Sequence, residues 1–148
     1  MDYEFTENRA GKDEVYEHLV KCNRSFIPAL NSRVDIKLYT EKIMNGAVRF
    51  EAWFNDRLIG LVAVYLNDNT RKVAYVTNVS VEPVHTGKGL AKKLVMRSIK
   101  RASQMSFEQL QLEVSVNNQP AVNLYKDLGF KKIEDTTDES YKLALKLN

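Results

Sequence analysis

Gly87 and Gly89 stand in the run Thr86-Gly87-Lys88-Gly89-Leu90-Ala91-Lys92-Lys93, between a β-forming stretch, Ala74 to Val81, and an amphipathic one, Leu90 to Met105. The first turn of a helix leaves four backbone N–H groups without intrahelical partners, and the aligned peptide dipoles add about half a positive charge there. A phosphate suits such a turn. Glycine at 87 and 89 lets a phosphate approach the backbone closely and permits positive φ, while Lys88, Lys92 and Lys93 deepen the positive potential. The chemistry expected here is therefore the holding of a phosphate-bearing ligand at a strand-to-helix junction.

Two common nucleotide signatures fail. A Walker A loop would need Gly-Lys followed by Ser or Thr, and Lys88 is followed by Gly89. A dinucleotide fingerprint would need a third glycine where Lys92 stands.

The elements that must position this turn can be read from periodicity. Tyr3 to Thr6 is a weak first strand. Val15, Tyr16, Leu19 and Val20 recur at helical spacing after Asp13, the expected N-cap. Asn23 to Asn31, broken by Pro28, reads as a loop. A second helix follows Arg33, with Ser32 and Asp35 spaced like a capping box and Ile36, Tyr39 and Ile43 on one face. Val48, Phe50, Ala52 and Phe54 alternate with Arg49, Glu51 and Trp53, a strand with one buried face. Asn55-Asp56-Arg57 turns the chain into Leu58 to Leu66, whose apolar run predicts a central strand covered on both sides. The turn Asn67 to Thr70 leads to a strand over Lys72 to Val81. The helix Leu90 to Met105 carries Ala91, Leu94, Val95, Ile99, Ala102 and Met105 on one stripe, with Lys92, Lys93, Arg97, Lys100 and Arg101 elsewhere. Leu110, Leu112, Val114 and Val116 mark the next strand. Asn118 caps a short helix with Ala121, Leu124, Tyr125 and Leu128 inside and Gly129 as terminator. Phe130 to Glu134 and Tyr141 to Leu147 close the chain as strands. The order β-α-α-β-β-β-α-β-α-β-β predicts an α/β (α+β) fold with a mixed, mostly antiparallel sheet of six to seven strands and about four helices.

Composition bounds the function. The 148 residues fit a single domain, 1–148, and 28% charged with 44% hydrophobic residues is the balance of a globular protein. The longest apolar run, Leu58 to Leu66, is nine residues and is interrupted by Gly60, so no membrane span is expected. The start, Met1-Asp2-Tyr3-Glu4, has no basic-then-apolar pattern, so no secretory signal is expected. Cys22 is the single cysteine, which rules out an intrachain disulfide and points to a reducing cytoplasm. A net charge of +3 is too small to argue for nucleic acid, and a solvated helix face accounts for the basic residues of 92 to 101. His18 and His85 read as isolated, with no metal-ligand spacing, although His85 could assist the phosphate end.

Thr86-Gly87-Lys88-Gly89-Leu90-Ala91, after Val79-Ser80-Val81-Glu82-Pro83, resembles the pyrophosphate-binding loop of the GCN5-related N-acetyltransferase superfamily. Asn118-Gln119-Pro120-Ala121-Val122-Asn123-Leu124-Tyr125-Lys126-Asp127-Leu128-Gly129-Phe130, some thirty residues on, resembles its second signature. Thr86 departs from the usual Arg or Gln, while Gly89 and Ala91 match. The resemblance covers the chain well from about Val48 onward, and the first 45 residues in element order alone.

What the resemblance implies is an acetyl-CoA-dependent N-acetyltransferase that moves acetyl directly to a primary amine of a small-molecule or peptide acceptor. A CoA-binding regulatory module without turnover is the alternative. Acetyl-CoA would lie where the strand ending at Val81 splays from that ending at Val116. Its amides would pair with backbone around Val79 and Val81, and its pyrophosphate would rest on N–H groups of Gly87, Lys88, Gly89, Leu90, Ala91 and Lys92, next to Thr86. Asn118 and Asn123 are further coenzyme-binding candidates. Tyr125 is the expected proton donor to the departing thiolate, since a phenol with pKa near 10 is protonated at neutral pH. The Val79 N–H is a candidate for the oxyanion. Glu51, Glu113, Asn78 and Ser80 are candidate bases. Cys22 reads as a helix-face residue, not an acetyl carrier, and Trp53 as a sheet residue or part of the acceptor pocket. Phe26, Pro28, Arg33 and Tyr39 could line the acceptor end. Arg33 is either a surface arginine or the partner of an acceptor carboxylate or phosphate. An exposed edge strand at Tyr141 to Leu147 would allow a homodimer.

Overall fold

The computed structural model describes residues 2–137 and 139–147, and its centre is a seven-stranded sheet. The elements are β1 (Glu4–Glu7), α1 (Lys12–Cys22), α2 (Ile36–Gly46), β2 (Ala47–Phe54), β3 (Arg57–Tyr65), β4 (Val73–Val81), α3 (Leu90–Gln104), β5 (Gln109–Ser115), α4 (Gln119–Asp127), β6 (Lys131–Thr137) and β7 (Ser140–Lys146). Short 3-10 turns occur at Asn23–Ser25, Leu30–Ser32 and Pro83–His85. The strand order is β1-β2-β3-β4-β5-β7-β6, with β4 and β5 parallel and every other neighbouring pair antiparallel.

Each sheet face has its own core. Phe50, Ile59, Val62, Val76, Leu94, Leu110 and Tyr125 belong to the face covered by α3 and α4. Val15, Leu19, Ile43, Trp53, Leu61 and Ala63 belong to the face covered by α1 and α2. The β3 run Leu58 to Val64 is buried throughout because consecutive side chains enter opposite cores. A two-residue turn, Asn55 (φ 50) and Asp56 (φ 62), delivers that strand. Positive φ at both central positions matches the right-handed twist of the hairpin. Gly60 brings α3 down on the sheet, since a Cβ there would lie 3.3 Å from both Ala52 Cβ and Leu94 Cδ1.

Several expectations need correction. The α1 N-cap is Gly11, whose N–H donates to the Glu14 carboxylate at 2.9 Å, so the cap lies two residues before Asp13. Asp35 is itself the α2 cap, accepting from Leu38 N at 3.2 Å, and Ser32 Oγ instead donates to the Ala29 carbonyl. On α3, Met105 is exposed at the C-terminal end, and Ser98 joins the buried stripe. The inner face of α4 is Val122 and Tyr125, with Ala121, Leu124 and Leu128 partly buried. The strand at Tyr141 is no edge: β7 lies between β5 and β6, and β1 and β6 are the outer strands.

Both faces of β2 are buried, where one was expected to be solvated. The segment from Asn8 to Gly11 folds back over β2, and Glu51 becomes its anchor. Its carboxylate accepts from Thr6 Oγ1 (2.6 Å), Arg9 N (2.8 Å) and Ala10 N (2.9 Å), with Arg49 Nε at 3.5 Å. Trp53 Nε1 donates to the same Thr6 hydroxyl at 2.7 Å, so Trp53 is a core residue of the sheet and not a pocket wall. Glu51→Ala would leave those donors without an acceptor in a buried site. It should lower the urea-unfolding free energy by about 3 kcal/mol, whereas an exposed control, Glu17→Ala, should change it by less than about 0.5.

Candidate functional site

The parallel pairing of β4 with β5 runs Val73 to Gln109, Ala74 to Leu110 and Tyr75 to Gln111, and stops there. Beyond it β4 stays paired to β3 as far as Val81, and β5 to β7 as far as Ser115. The sheet is therefore parted between two strands that each keep their outer neighbour. An irregularity in β4 falls at the same place, because Val76 faces Val64 and Asn78 faces Ala63, leaving Thr77 as the extra residue. Tyr39 of α2 donates its hydroxyl to the Thr77 carbonyl at 2.6 Å and so fixes the bulge.

The bulge also decides which side chains look which way. Before it, Ala74 and Val76 join the α3–α4 core; after it, Val79 and Val81 do, and Asn78 and Ser80 turn toward α1. A cleft of about 630 Å³ occupies the gap. It is lined by Val76 to Val81 of β4, Leu112 to Ser115 of β5, the turn from His85 to Lys92 except Lys88, the α4 cap Asn118 with Asn123 and Tyr125 of that helix, and Ser25, Phe26, Ile27 and Arg33.

At one end lies the glycine turn. Glu82 N donates to the Ile59 carbonyl at 2.8 Å and the buried Glu82 carboxylate pairs with Arg57, which pins the chain as it leaves β4. His85, buried, shares a 2.8 Å hydrogen bond with the Tyr3 hydroxyl and packs on the Tyr3 and Phe54 rings. Gly87 and Gly89 take φ +78 and +74, with nothing within 4 Å of where a Cβ would stand. The first amide of α3 with a backbone acceptor is Lys93 N, bonded to the Gly89 carbonyl. Among the described residues, the N–H groups of Gly87 to Lys92 meet no protein acceptor. They are open donors at a helix start, as an anion site requires. Thr86 turns its hydroxyl back onto the Pro83 carbonyl at 2.8 Å. Lys88 does not line the cleft, and Lys93 sits over the Phe5 ring at 4.9 Å.

Tyr125 lies on the cleft wall, against Phe130, at 5% exposure. Burial pushes its pKa above the ordinary phenol value, so the hydroxyl stays protonated, and no protein partner among the described residues takes it. Asn118 caps α4 by accepting from Ala121 N at 3.3 Å. Asn123 accepts from Gln119 Nε2 at 2.8 Å.

On the α1 side the structure joins residues that are remote in sequence. His18 Nε2 is 2.8 Å from Ser80 Oγ, and Asn78 Nδ2 donates to the same oxygen at 2.9 Å and to the Leu61 carbonyl at 3.1 Å. His18 is thus not isolated, and Cys22 Sγ lies 3.7 Å from its ring one helical turn on. Burial lowers the His18 pKa to about 4 and raises that of Cys22 to about 12, so a neutral imidazole and a protonated thiol face each other at pH 7. Of the four candidate bases, Glu113, Asn78 and Ser80 line the cleft, and Glu51 does not because the fold consumes its lone pairs. The i, i+4 spacing of His18 and Cys22 was a readable signal for their contact; the approach of Ser80 was not.

The model of the acetyltransferase (GNAT) family matches residues 12–130. The chain is 31% identical over 121 residues to mouse N-acetyltransferase 8B, covering 78% of this chain and 48% of that protein. It is 35% identical over 66 residues to N-alpha-acetyltransferase 30 of Saccharomyces cerevisiae, covering 45% and 38%. The chain spans about half or less of the length of these curated relatives. Its fold is shared with the ribosomal-protein-S18-alanine N-acetyltransferase of Escherichia coli, at TM-score 0.78 and 18% identity over 99% of this chain and 95% of that one. The PaiA N-acetyltransferase of Thermoplasma acidophilum, solved in complex with coenzyme A, matches at TM-score 0.76 and 19% identity over 99% of both chains. A mixed sheet parted at its parallel pair, with a glycine turn on one lip, is thus the architecture of an acetyltransferase fold. The protein belongs to the acetyltransferase (GNAT) family.

Two outcomes test this geometry. Gly89→Val imposes a β-branched side chain on positive φ beside the open amides, and should weaken coenzyme A binding by about tenfold or more in calorimetry. Because the His18 pKa is depressed on folding, the unfolded chain binds more protons between about pH 4 and 6.5. Stability should therefore fall as pH drops through that window, by roughly 3 kcal/mol at about 1.36 per unit, and His18→Gln should flatten the slope in urea titrations.

Proposed function

We propose that the protein transfers an acetyl group from acetyl-CoA to a primary amine, in one direct step. The observation that carries this reading is the parted β4–β5 pair with open amides at 87 to 92 on one lip and an unpartnered Tyr125 hydroxyl on its wall. Acetyl-CoA would supply the activated acyl group and a thiolate leaving group.

The β4 backbone from Val76 to Val81 lacks a neighbour on its β5 side, and would hold pantetheine amides as a short added strand. The amides of Gly87 to Lys92 would take the diphosphate, beside Thr86 and Lys92. A lysine-like amine with pKa near 10.4 must first give a proton to water at the cleft mouth, at roughly 4–5 kcal/mol at pH 7. Ser80 Oγ, held between His18 and Asn78, would receive an N–H of the acceptor and orient its lone pair, and Glu113 would draw the ammonium in. An N–H of β4 near Val79 would bind the oxyanion without reorganising. Tyr125, kept protonated by burial, would hydrogen-bond the departing sulfur and relay to it the proton released by the nitrogen of the tetrahedral intermediate, so that the phenol is restored as the thiol leaves. Asn118 at the start of the same helix and Asn123 at its middle would flank the coenzyme. The buried, protonated Cys22 supports direct transfer over an acetyl-cysteine intermediate.

The test is thiol release from acetyl-CoA across a panel of amines. Tyr125→Phe should lower kcat by about tenfold or more while leaving the coenzyme A dissociation constant within about twofold. Full activity in the variant would remove Tyr125 from the reaction. Coenzyme binding with no release for any amine would make the protein a binding module.

A further inference from the structure

The end of the cleft opposite the glycine turn carries a charge pattern that acetyl-CoA does not use. Arg33 lines it from the segment between the Leu30–Ser32 turn and α2, with its guanidinium 5.8 Å from the centre of the Phe26 ring. Arg33 forms no ion pair among the described residues, whereas Arg9, Arg49, Arg57 and Arg101 each have a carboxylate partner. The neighbouring Asp35 is occupied in capping α2.

The floor below Arg33 is held by a hydrogen bond between α2 and β4. Tyr39 reaches across to Thr77, and the positive charge of Arg33 is felt at the Tyr39 and Tyr75 hydroxyls. Glu113 of β5 is felt at Tyr75 too, and it lines the same cleft. On β5 the buried residues Leu110, Leu112 and Val114 face the α3–α4 core, which turns Glu113 to the α1–α2 side of the sheet, where Ser80 and Asn78 also look. Glu113 stands opposite Lys142 in the β5–β7 ladder. One mouth therefore holds a cation from the segment before α2 and an anion from β5, both near enough to Tyr75 for their charges to act on it.

We propose that the acceptor is a small amine that also carries a carboxylate, its carboxylate held by Arg33 and its ammonium drawn by Glu113 toward Ser80. This inference rests on the acetyl-transfer reading and names the substrate class for it. A planar guanidinium can take a carboxylate through two parallel hydrogen bonds, which fixes the amine's direction as well as its presence. A neutral or polycationic amine would leave Arg33 unpaired or repelled.

The experiment compares free ω-amino acids from glycine to 6-aminohexanoate and L-glutamate with their methyl esters, with aminoalkylphosphonates and with an uncharged tripeptide, by thiol release in wild type and Arg33→Gln. Acids are expected to exceed their esters by about tenfold or more in kcat/KM, mainly through KM, and the ratio should fall toward one in Arg33→Gln. Equal rates for acids and esters in wild type, a ratio that survives the substitution, or a preference for phosphonates or the tripeptide would overturn the proposal. Thermal midpoints of both proteins check that Arg33→Gln, an exposed change, is folded. Should no amine release thiol, calorimetry of the same acids against protein saturated with coenzyme A separates the two ideas. Binding abolished by Arg33→Gln upholds the carboxylate site while acetyl transfer fails; no binding of any acid sinks the site itself.

Discussion

The divergence of β4 from β5 after Tyr75 and Gln111 is the constraint on which the rest of this structure depends. Buried backbone donors and acceptors normally find partners, and a sheet satisfies them by continuing. Here the ladder is interrupted in the middle of a sheet whose two halves continue on either side. The bulge at Thr77 bends β4 away, and the Tyr39 hydroxyl holds that bend. The gap is thus a fixed feature of the fold, lined with main-chain groups that suit an amide-bearing ligand.

The same divergence gives the cleft two unlike ends. At the helix start, the positive character comes mainly from backbone donors, with Lys92 beside them, so most side chains there can vary: Thr86 keeps its hydroxyl within the loop, and Lys93 leans on Phe5. At the opposite end the character comes from side chains, Arg33 and Glu113 at the mouth and the His18–Ser80–Asn78 group at the floor. Main-chain recognition tolerates sequence change, while side-chain recognition is lost with one residue.

Much of the frame was legible. The long alternation of β5, the apolar run of β3 and the 3.6-residue stripe of α3 each put a strong periodic signal into a single element, and the structure has each where it was expected. The glycine turn was equally clear, since positive φ and an uncapped helix start are local properties. Glu51 was misread because alternation marks a polar residue as solvent-facing, and nothing local says that the chain from Asn8 to Gly11 will cover it. His18 was misread as isolated for a related reason: its partner Ser80 is 62 residues away, reached through the packing of α1 on the sheet. The β7 position between β5 and β6 likewise follows from pairing, which periodicity does not encode.

What the chain determines by itself is whatever depends on near neighbours: the element order, the turn at Asn55-Asp56, the Asn118 cap and the anion-receptive start of α3. Those rest on φ preferences, side-chain periodicity and hydrogen bonds spanning a few residues. Tertiary structure alone decided where the sheet parts, which face each β4 side chain takes after Thr77, and that Arg33 and Glu113 share one mouth. These outcomes depend on register and packing between segments far apart in the chain, where a one-residue shift reverses every side chain, and no local pattern carries that information.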